Sequence, residues 1–331
     1  MDNVTHTLTG FALSRAGMNR IAPHAGLILM LAANAPDLDI VTAAGGSLSY
    51  LNWHRDVTHS ILAIPLVAIL PVLVARLVAR RPIPWLRCYL VSLAGAASHP
   101  LLDWTNVYGV RLLAPVSREW FRGDFTYVFD VWIWMALGLA LVWPWLSRLV
   151  SSEIGAKPAP GRGLAIAALC FVAAYDAGRF TLHQRALAVL DSRIYAGAAP
   201  VRVAAAPNPV SPFRWTGIVE GDGFWMLHDI NLLEEFDPAL GRTYYKPEPS
   251  PALEAARSSK EFQQYLDFAQ YVYWRVIPLD NPEGAQRVEA MDLRFGPPTA
   301  PRFIAAAVVL ADRRVEGAGF QFGIRDSHSR R

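Results

Sequence analysis

The chain has 331 residues, 53% of them hydrophobic and only 18% charged, with a formal net charge of +3 and a mean hydropathy of +0.23. Soluble domains carry about a quarter charged residues, so the deficit points to a membrane protein. The arginines are scattered through loops and form no stripe, which argues against a nucleic-acid partner. Cys88 and Cys170 lie inside apolar runs and suit neither a disulfide nor a metal site.

The charge deficit is uneven along the chain. Residues 1–182 hold nearly all the long apolar runs, whereas 183–331 read as ordinary soluble sequence. The expected architecture is therefore an α-helical membrane domain over 1–182, with about four spanning helices and an N-terminal helical hairpin, followed by a soluble α+β domain over 183–331. The opening "MDNVTHTLTGFALSRAG" lacks the basic start of a signal peptide. It and "IAPHAGLILMLAANAP" are each shorter than the ~17 residues needed to span. They are expected to pair as a hairpin sunk part-way into the bilayer, with Pro36 ending the second helix. Spans are expected at 60–79, 88–102, 131–147 and 163–180, the third with tryptophans at both ends. Arg80, Arg81 and Arg87 in one loop, and Arg148, Lys157 and Arg162 in another, fall on one side if the helices alternate. The positive-inside rule makes that side cytoplasmic and puts residues 1–58, the 103–130 loop and the C-terminal domain outside. That domain alternates like strands in "FRWTGIVE", "GFWMLHDINLL", "YVYWRVIPL", "QRVEAMDLRF" and "RFIAAAVVL". Between them "SPALEAARSSKEFQQYLDFAQ" reads as one helix, capped by Ser250 with Pro251 at its first position.

The residues with chemistry cluster in the first half. In "SHPLLDWTN", His99 and Asp103 are four apart, which puts both on one helix face about one turn apart. They can grip one ion, or simply hydrogen-bond and cap the helix end. In "NAPDLDIV", Asp37 and Asp39 stand side by side after a helix. Two such carboxylates repel unless a cation or shared proton intervenes, although aspartates also serve in ordinary turns. In "NWHRDVTHS", His54 and His59 are five apart, about 140° of helix, so a turn is expected between them. Asp56 or Thr58 would cap the membrane helix and place His59 in its first turn. His6, among Thr5, Thr7 and Thr9, is either a ligand or a satisfied core histidine. Under the topology above these motifs and Asp130 all reach the same membrane face. His and Asp gathered at one interface is the composition of a one- or two-metal hydrolytic site.

The run "THTLTGFAL", "NAPDLDIV", "HRDVTHS", "SHPLLDWTN" resembles the membrane-bound, metal-dependent hydrolases described as LexA-binding and inner-membrane-associated, over roughly residues 1–140. That family looks like a distant membrane cousin of zinc-dependent phospholipase C and S1/P1-type nucleases. The resemblance implies that His6, Asp37, Asp39, His54, His59, His99 and Asp103, with Asp130 as a weaker member, are metal ligands or their immediate neighbours. It also implies a multi-pass protein of a bacterial inner membrane. The expected activity is hydrolysis of a phosphoester in a lipid or lipid-linked substrate, with one or two divalent ions, zinc by preference, activating a water. Asp39 and Arg55 are the expected catalytic residues, Arg55 holding a substrate phosphate. Two other classes compete: a membrane protein with a closed structural metal site, and a His/Asp-relay transporter, which would need charge through the depth of several helices. A serine lipase is disfavoured because no G-x-S-x-G occurs.

Overall fold

Helix α1 (Asn3–Ala16) starts where the Asp2 carboxylate accepts from the backbone N–H groups of Val4 and Thr5, at 2.9 and 3.1 Å. It packs against α2 (Ala25–Ala32) as the expected hairpin. The computed structural model describes residues 1–154 and 161–322, and Lys157, one of the loop charges counted above, lies outside them. After α2 the chain makes a 3₁₀ run, Pro36–Gly45, then α3 (Ser47–Trp53), a 3₁₀ turn at Val57–His59, α4 (Ile64–Val67), α5 (Ile69–Ala79) and α6 (Trp85–Thr105). Two long helices follow, α7 (Val131–Ile154) and α8 (Arg162–Asp191).

The chain divides into two compact units. The first comprises Met1–Asp39, Arg55–Gln184 and Pro207–Pro212; the second comprises Ile40–His54, Arg185–Ala206 and the chain from Phe213 onward. In the first unit, α2 sits between α1 and α6. A Cβ on Gly10 would lie 2.5 Å from the Leu29 carbonyl oxygen, and one on Gly95 would lie 2.9 Å from Ala32 Cβ. Glycine is what lets both neighbours approach α2 so closely. Ile28, Leu29, Val72, Cys88 and Val91 fill one core, and Ile133, Leu137, Ala168 and Val172 join Met1 and Leu102 in another. Both cysteines are free thiols. Arg179 is buried on α8 and donates to the carbonyl oxygens of Phe125 and Pro212, at 2.9 and 2.7 Å, which fastens the 207–212 segment to this unit.

Two helices are long and apolar enough to cross a membrane among the described residues: α7, over Val131–Val150, and α8. The count rises to four if each of two bent pairs is one span, namely Ala25–Ala32 with Pro36–Gly45 and Ser47–His59 with Ile64–Ala79. The straight helix expected over 60–79 is therefore broken. Ser60 is extended, and Pro65 and Pro71, which lack an N–H, sit in the first turns of α4 and α5, where the helix restarts. The expected 88–102 span lies inside the 21-residue α6, which carries His99 and Asp103 and falls outside the spanning set. With 30 residues, α8 continues well past the expected end at residue 180.

The second unit is β-rich. Strands β1 (Arg202–Pro207), β2 (Arg214–Gly221), β3 (Phe224–Asn231) and β4 (Arg242–Tyr245) form one antiparallel sheet in sequence order. Strands β5 (Val272–Pro278), β6 (Gln286–Asp292), β7 (Phe303–Val309) and β8 (Val315–Phe322) form the other. The tight β2–β3 hairpin turns on Asp222-Gly223, where Gly223 has φ +76°. Ile218, Trp225 and Leu227 pack on Leu293, Tyr271 and Tyr273, with Trp225 and Leu227 two apart on one face of β3. Fully burying each such large apolar side chain contributes about 1.5–3 kcal/mol. The single helix expected from residue 250 is two, α9 (Pro251–Ser258) and α10 (Lys260–Leu266). Ser250 caps the first as expected, accepting from Leu253 N at 3.2 Å. Ser259 adopts an extended backbone and caps the second through Phe262 N. A serine that can end one helix and start another is better placed at a break than mid-helix. Helix α3 packs on β8 and α10 in this same unit, with Ser47 Oγ donating to Phe320 O and Tyr50 lying edge-on to Phe322.

Candidate metal centre

Four pieces of backbone in the first unit converge on one buried point. Helix α1 contributes His6, one turn past its Asp2 cap. The chain just after α2 contributes Asp37, and the Val57–His59 turn contributes His59. Helix α6 contributes His99 and Asp103, four residues apart on one face. His6, His59, His99 and Asp103 have no exposed side-chain surface, and Asp37 retains 13%. His6, His99 and Asp103 form one triad whose potential ligand atoms lie within 4.8 Å of one another, and Asp37, His59 and His99 form a second. His99 belongs to both.

The atoms that meet are acceptors. His99 Nδ1 lies 2.6 Å from the Ala33 carbonyl oxygen. A carbonyl can only accept, so Nδ1 carries the proton and Nε2 presents its lone pair inward. That Nε2 is 3.0 Å from His59 Nε2, 3.2 Å from Asp103 Oδ2 and 3.6 Å from Asp37 Oδ1. His59 Nε2 is in turn 3.3 Å from Asp37 Oδ1 and 3.5 Å from Asp103 Oδ2. Asp103 Oδ2 is buried and accepts no hydrogen bond, and neither ring nitrogen of His6 makes one. The His6 ring stacks on His99 at 3.7 Å, with its Nε2 3.5 Å from Asp103 Oδ1. Burial, with His99 and the Met1 amino group close by, holds His6 well below the ordinary histidine pKa. At neutral pH it offers a lone pair and no charge. Nitrogen and carboxylate oxygen grouped in this way could hold a metal ion, and imidazole with carboxylate suits zinc and similar divalent ions.

Two cationic groups reach the cluster through Asp103 Oδ1. Arg55 sits in the left-handed region at φ +61° and is buried. Its guanidinium bonds Asp103 Oδ1 at 3.0 Å, Asn106 Oδ1 at 3.1 Å and the carbonyls of Gly109 and Met1 at 3.2 Å, and it lies over the Tyr108 ring. The Met1 amino group also contacts Asp103 Oδ1. Asp56 does not cap a helix with its side chain, contrary to expectation; it pairs with Arg111 and Arg118 at 3.0 and 3.1 Å. Thr58 also has another task, donating to Asp39 Oδ2 at 3.1 Å.

Of the expected members, His54 and Asp130 lie outside these two triads. His54 ends α3 and stacks on Tyr50 at 4.4 Å, and with Asp39 and His59 it forms a third group whose potential ligand atoms lie within 4.8 Å of one another. Asp130 belongs to none of the groups suited to an ion among the described residues. It instead starts α7, accepting from the backbone N–H groups of Trp132 and Ile133 at 3.0 and 3.4 Å and from the Tyr175 hydroxyl at 3.0 Å. Burial pushes its carboxyl above the ordinary value. Reading residue types missed Asn106, which accepts from Arg55 and from the N–H groups of Tyr108 and Gly109, and the Ala33 carbonyl behind His99. Asn106 closes the "SHPLLDWTN" motif and could have been found there; a backbone carbonyl leaves no such trace.

The chain belongs to the YdjM inner membrane protein family, whose model matches residues 1–186. The matched segment holds every member of the cluster and ends before the sheets of the second unit. The chain is also similar to the uncharacterized protein YfhP of Bacillus subtilis (strain 168), 28% identical over 152 residues, or 43% of this chain and 46% of the relative. It thus spans about half the length of that curated relative. No solved structure matches it. With α7 and α8 apolar and long enough to span, the family makes this a membrane protein.

Proposed function

We propose that this protein is a membrane-bound, metal-dependent hydrolase that cleaves a phosphoester of a lipid or lipid-linked substrate. The observation that carries the reading is the convergence of acceptors: the His59 and His99 Nε2 atoms 3.0 Å apart, facing carboxylate oxygens of Asp37 and Asp103, with the His99 proton held on the far side of its ring. His6, Asp37, His59, His99 and Asp103 would hold one or two divalent cations, zinc by preference. An ion bound there would supply Lewis acidity, polarising a phosphoryl oxygen and lowering the pKa of a water to about 7.

The chain's own residues do the rest. Asp103 divides its oxygens, Oδ1 toward Arg55 and Oδ2 toward the histidines, so its charge is balanced before any substrate arrives. Arg55, already bonded to Asp103, Asn106 and two carbonyls, positions that carboxylate, and this replaces the expected role of gripping a substrate phosphate. Asp37 is the member with exposed surface and marks the side on which water and substrate enter. Membership of a membrane protein family favours a substrate that lives in the bilayer, and the face proposed for the site is the extracytoplasmic one.

The test is metal analysis of the detergent-purified protein, followed by a screen of lipid phosphoesters with the protein and its His99→Ala and Asp103→Ala variants. The reading expects bound divalent metal and a phosphoesterase activity that both variants lose. Full metal content and full activity in both variants would sink it.

A further inference from the structure

Asp39 is two residues from Asp37, yet its carboxylate turns the other way. Oδ2 accepts from the backbone N–H of Arg55 at 3.0 Å and from the Thr58 hydroxyl at 3.1 Å, and lies 3.3 Å from His59 Nδ1. Nδ1 is the ring nitrogen that faces away from the cluster. Thr58 Oγ1 is itself 3.0 Å from the same Nδ1. Since Thr58 spends its single hydrogen on Asp39, its oxygen can only accept from the ring. Asp39 and Thr58 are therefore both acceptors toward Nδ1, and they favour the proton there. His59 Nε2 is then the lone-pair nitrogen, as the Ala33 carbonyl makes it in His99. Arg55 joins the two halves: its backbone N–H holds Asp39 and its guanidinium holds Asp103. The left-handed backbone of Arg55, φ +61°, is what lets one residue face both.

We propose that Asp39 is a positioning residue and not a metal ligand: directly and through Thr58 it fixes the tautomer and ring orientation of His59, so that Nε2 points at the ion. This rests on the metal site proposed above. A carboxylate behind a ligating histidine raises the basicity of the ring, and losing such a partner typically costs 10–100-fold in metal affinity. Asp37, whose Oδ1 faces His59 Nε2, is the contrasting carboxylate, a ligand by position.

The experiment uses the full chain in detergent, stripped of metal and titrated with Zn²⁺ alone. Asp39→Asn is expected to bind as many ions as the unmodified chain with an affinity about 10–100-fold lower, and Asp37→Asn to lose the ion or weaken it further. Thr58→Val, which keeps Asp39, is expected to fall between Asp39→Asn and the unmodified chain. A second readout needs no metal: ¹⁵N chemical shifts of the His59 ring in the stripped protein should show the proton on Nδ1, and Asp39→Ala should move it toward Nε2. Loss of a whole ion equivalent in Asp39→Asn would make Asp39 a ligand and overturn the proposal. Unchanged affinity with an unchanged tautomer would also overturn it. If the unmodified chain binds no Zn²⁺, the metal reading fails by itself, while the ring shifts still decide whether Asp39 sets the tautomer.

Discussion

Asp37→Asn separates a metal site from a structural ion pair by the sign of its effect. Asp37 Oδ1 lies 3.3 Å from His59 Nε2 and 3.6 Å from His99 Nε2. Without a cation, an acceptor faces two acceptors. The amide replaces one oxygen with an N–H₂ that can donate to either ring, and one such buried hydrogen bond contributes about 1 kcal/mol. The metal-free variant should therefore be more stable than the unmodified chain by about that amount. With Zn²⁺ the order reverses. An ion that binds only the folded state stabilises it by about 2.7 kcal/mol at a hundredfold excess over Kd, which for a unit of this size raises Tm by about 5–10 °C. The variant lacks a charged ligand and should lose most of that rise. The assay is thermal unfolding of the detergent-solubilised chain, once with chelator and once with Zn²⁺. A variant that is less stable in chelator yet keeps the full zinc response would refute the argument, because Asp37 would then be a paired structural carboxylate.

Three other outcomes follow from described contacts. Gly10→Ala should lower the stability of the first unit by about 1–3 kcal/mol, because its Cβ would meet the Leu29 backbone at 2.5 Å and backbone cannot swing aside; a neutral effect in thermal unfolding would contradict the close approach of α1 and α2. His228, buried on β3 beside Tyr195 and Phe236, has its pKa lowered by burial to about 4. The unfolded chain then takes up a proton near pH 6.5 that the folded state refuses, so stability is full above that pH and falls by up to about 3 kcal/mol as pH drops toward 4. His228→Asn should flatten that slope in a pH series of unfolding midpoints. Finally, Leu240, 80% exposed in the second unit, should, as Leu240→Cys, react with a membrane-impermeant maleimide in intact spheroplasts beyond the level of the unmodified chain; labelling only after lysis would reverse the proposed topology.

Much of the cluster was legible because its signals are local. A spacing of four from His99 to Asp103 means one helix face in any helix, and the bias against helix just before Pro36 agrees with α2 ending at Ala32. What escaped reading depends on partners far away in sequence. The 3₁₀ turn at Val57–His59 aims His59 at Asp37 and α6, while His54 ends α3 and stacks on Tyr50. Arg55 read as a residue that holds a substrate phosphate because nothing nearby in sequence announces Asn106 and Gly109 as its partners. Asp130 carried the right chemistry for a ligand, and only the start of α7 shows its oxygens turned to backbone N–H groups. Among the strands, those rich in large alternating side chains were readable. β1, β4 and β8 are an alanine run, a four-residue edge and a glycine-containing strand, with too little alternation to stand out.

The excursion of residues 40–54 sets the order in which the molecule can be completed. Asp39 and Arg55, which brace the cluster, are the two ends of a loop whose α3 is seated on β8. During synthesis that loop emerges early, but its seat, β8, emerges only after β1–β7. The histidines and aspartates of the cluster can be gathered well before then, yet the loop between their two braces stays unanchored until β8 has been made. A chain truncated after its membrane helices would keep every member of the cluster and never reach that last step.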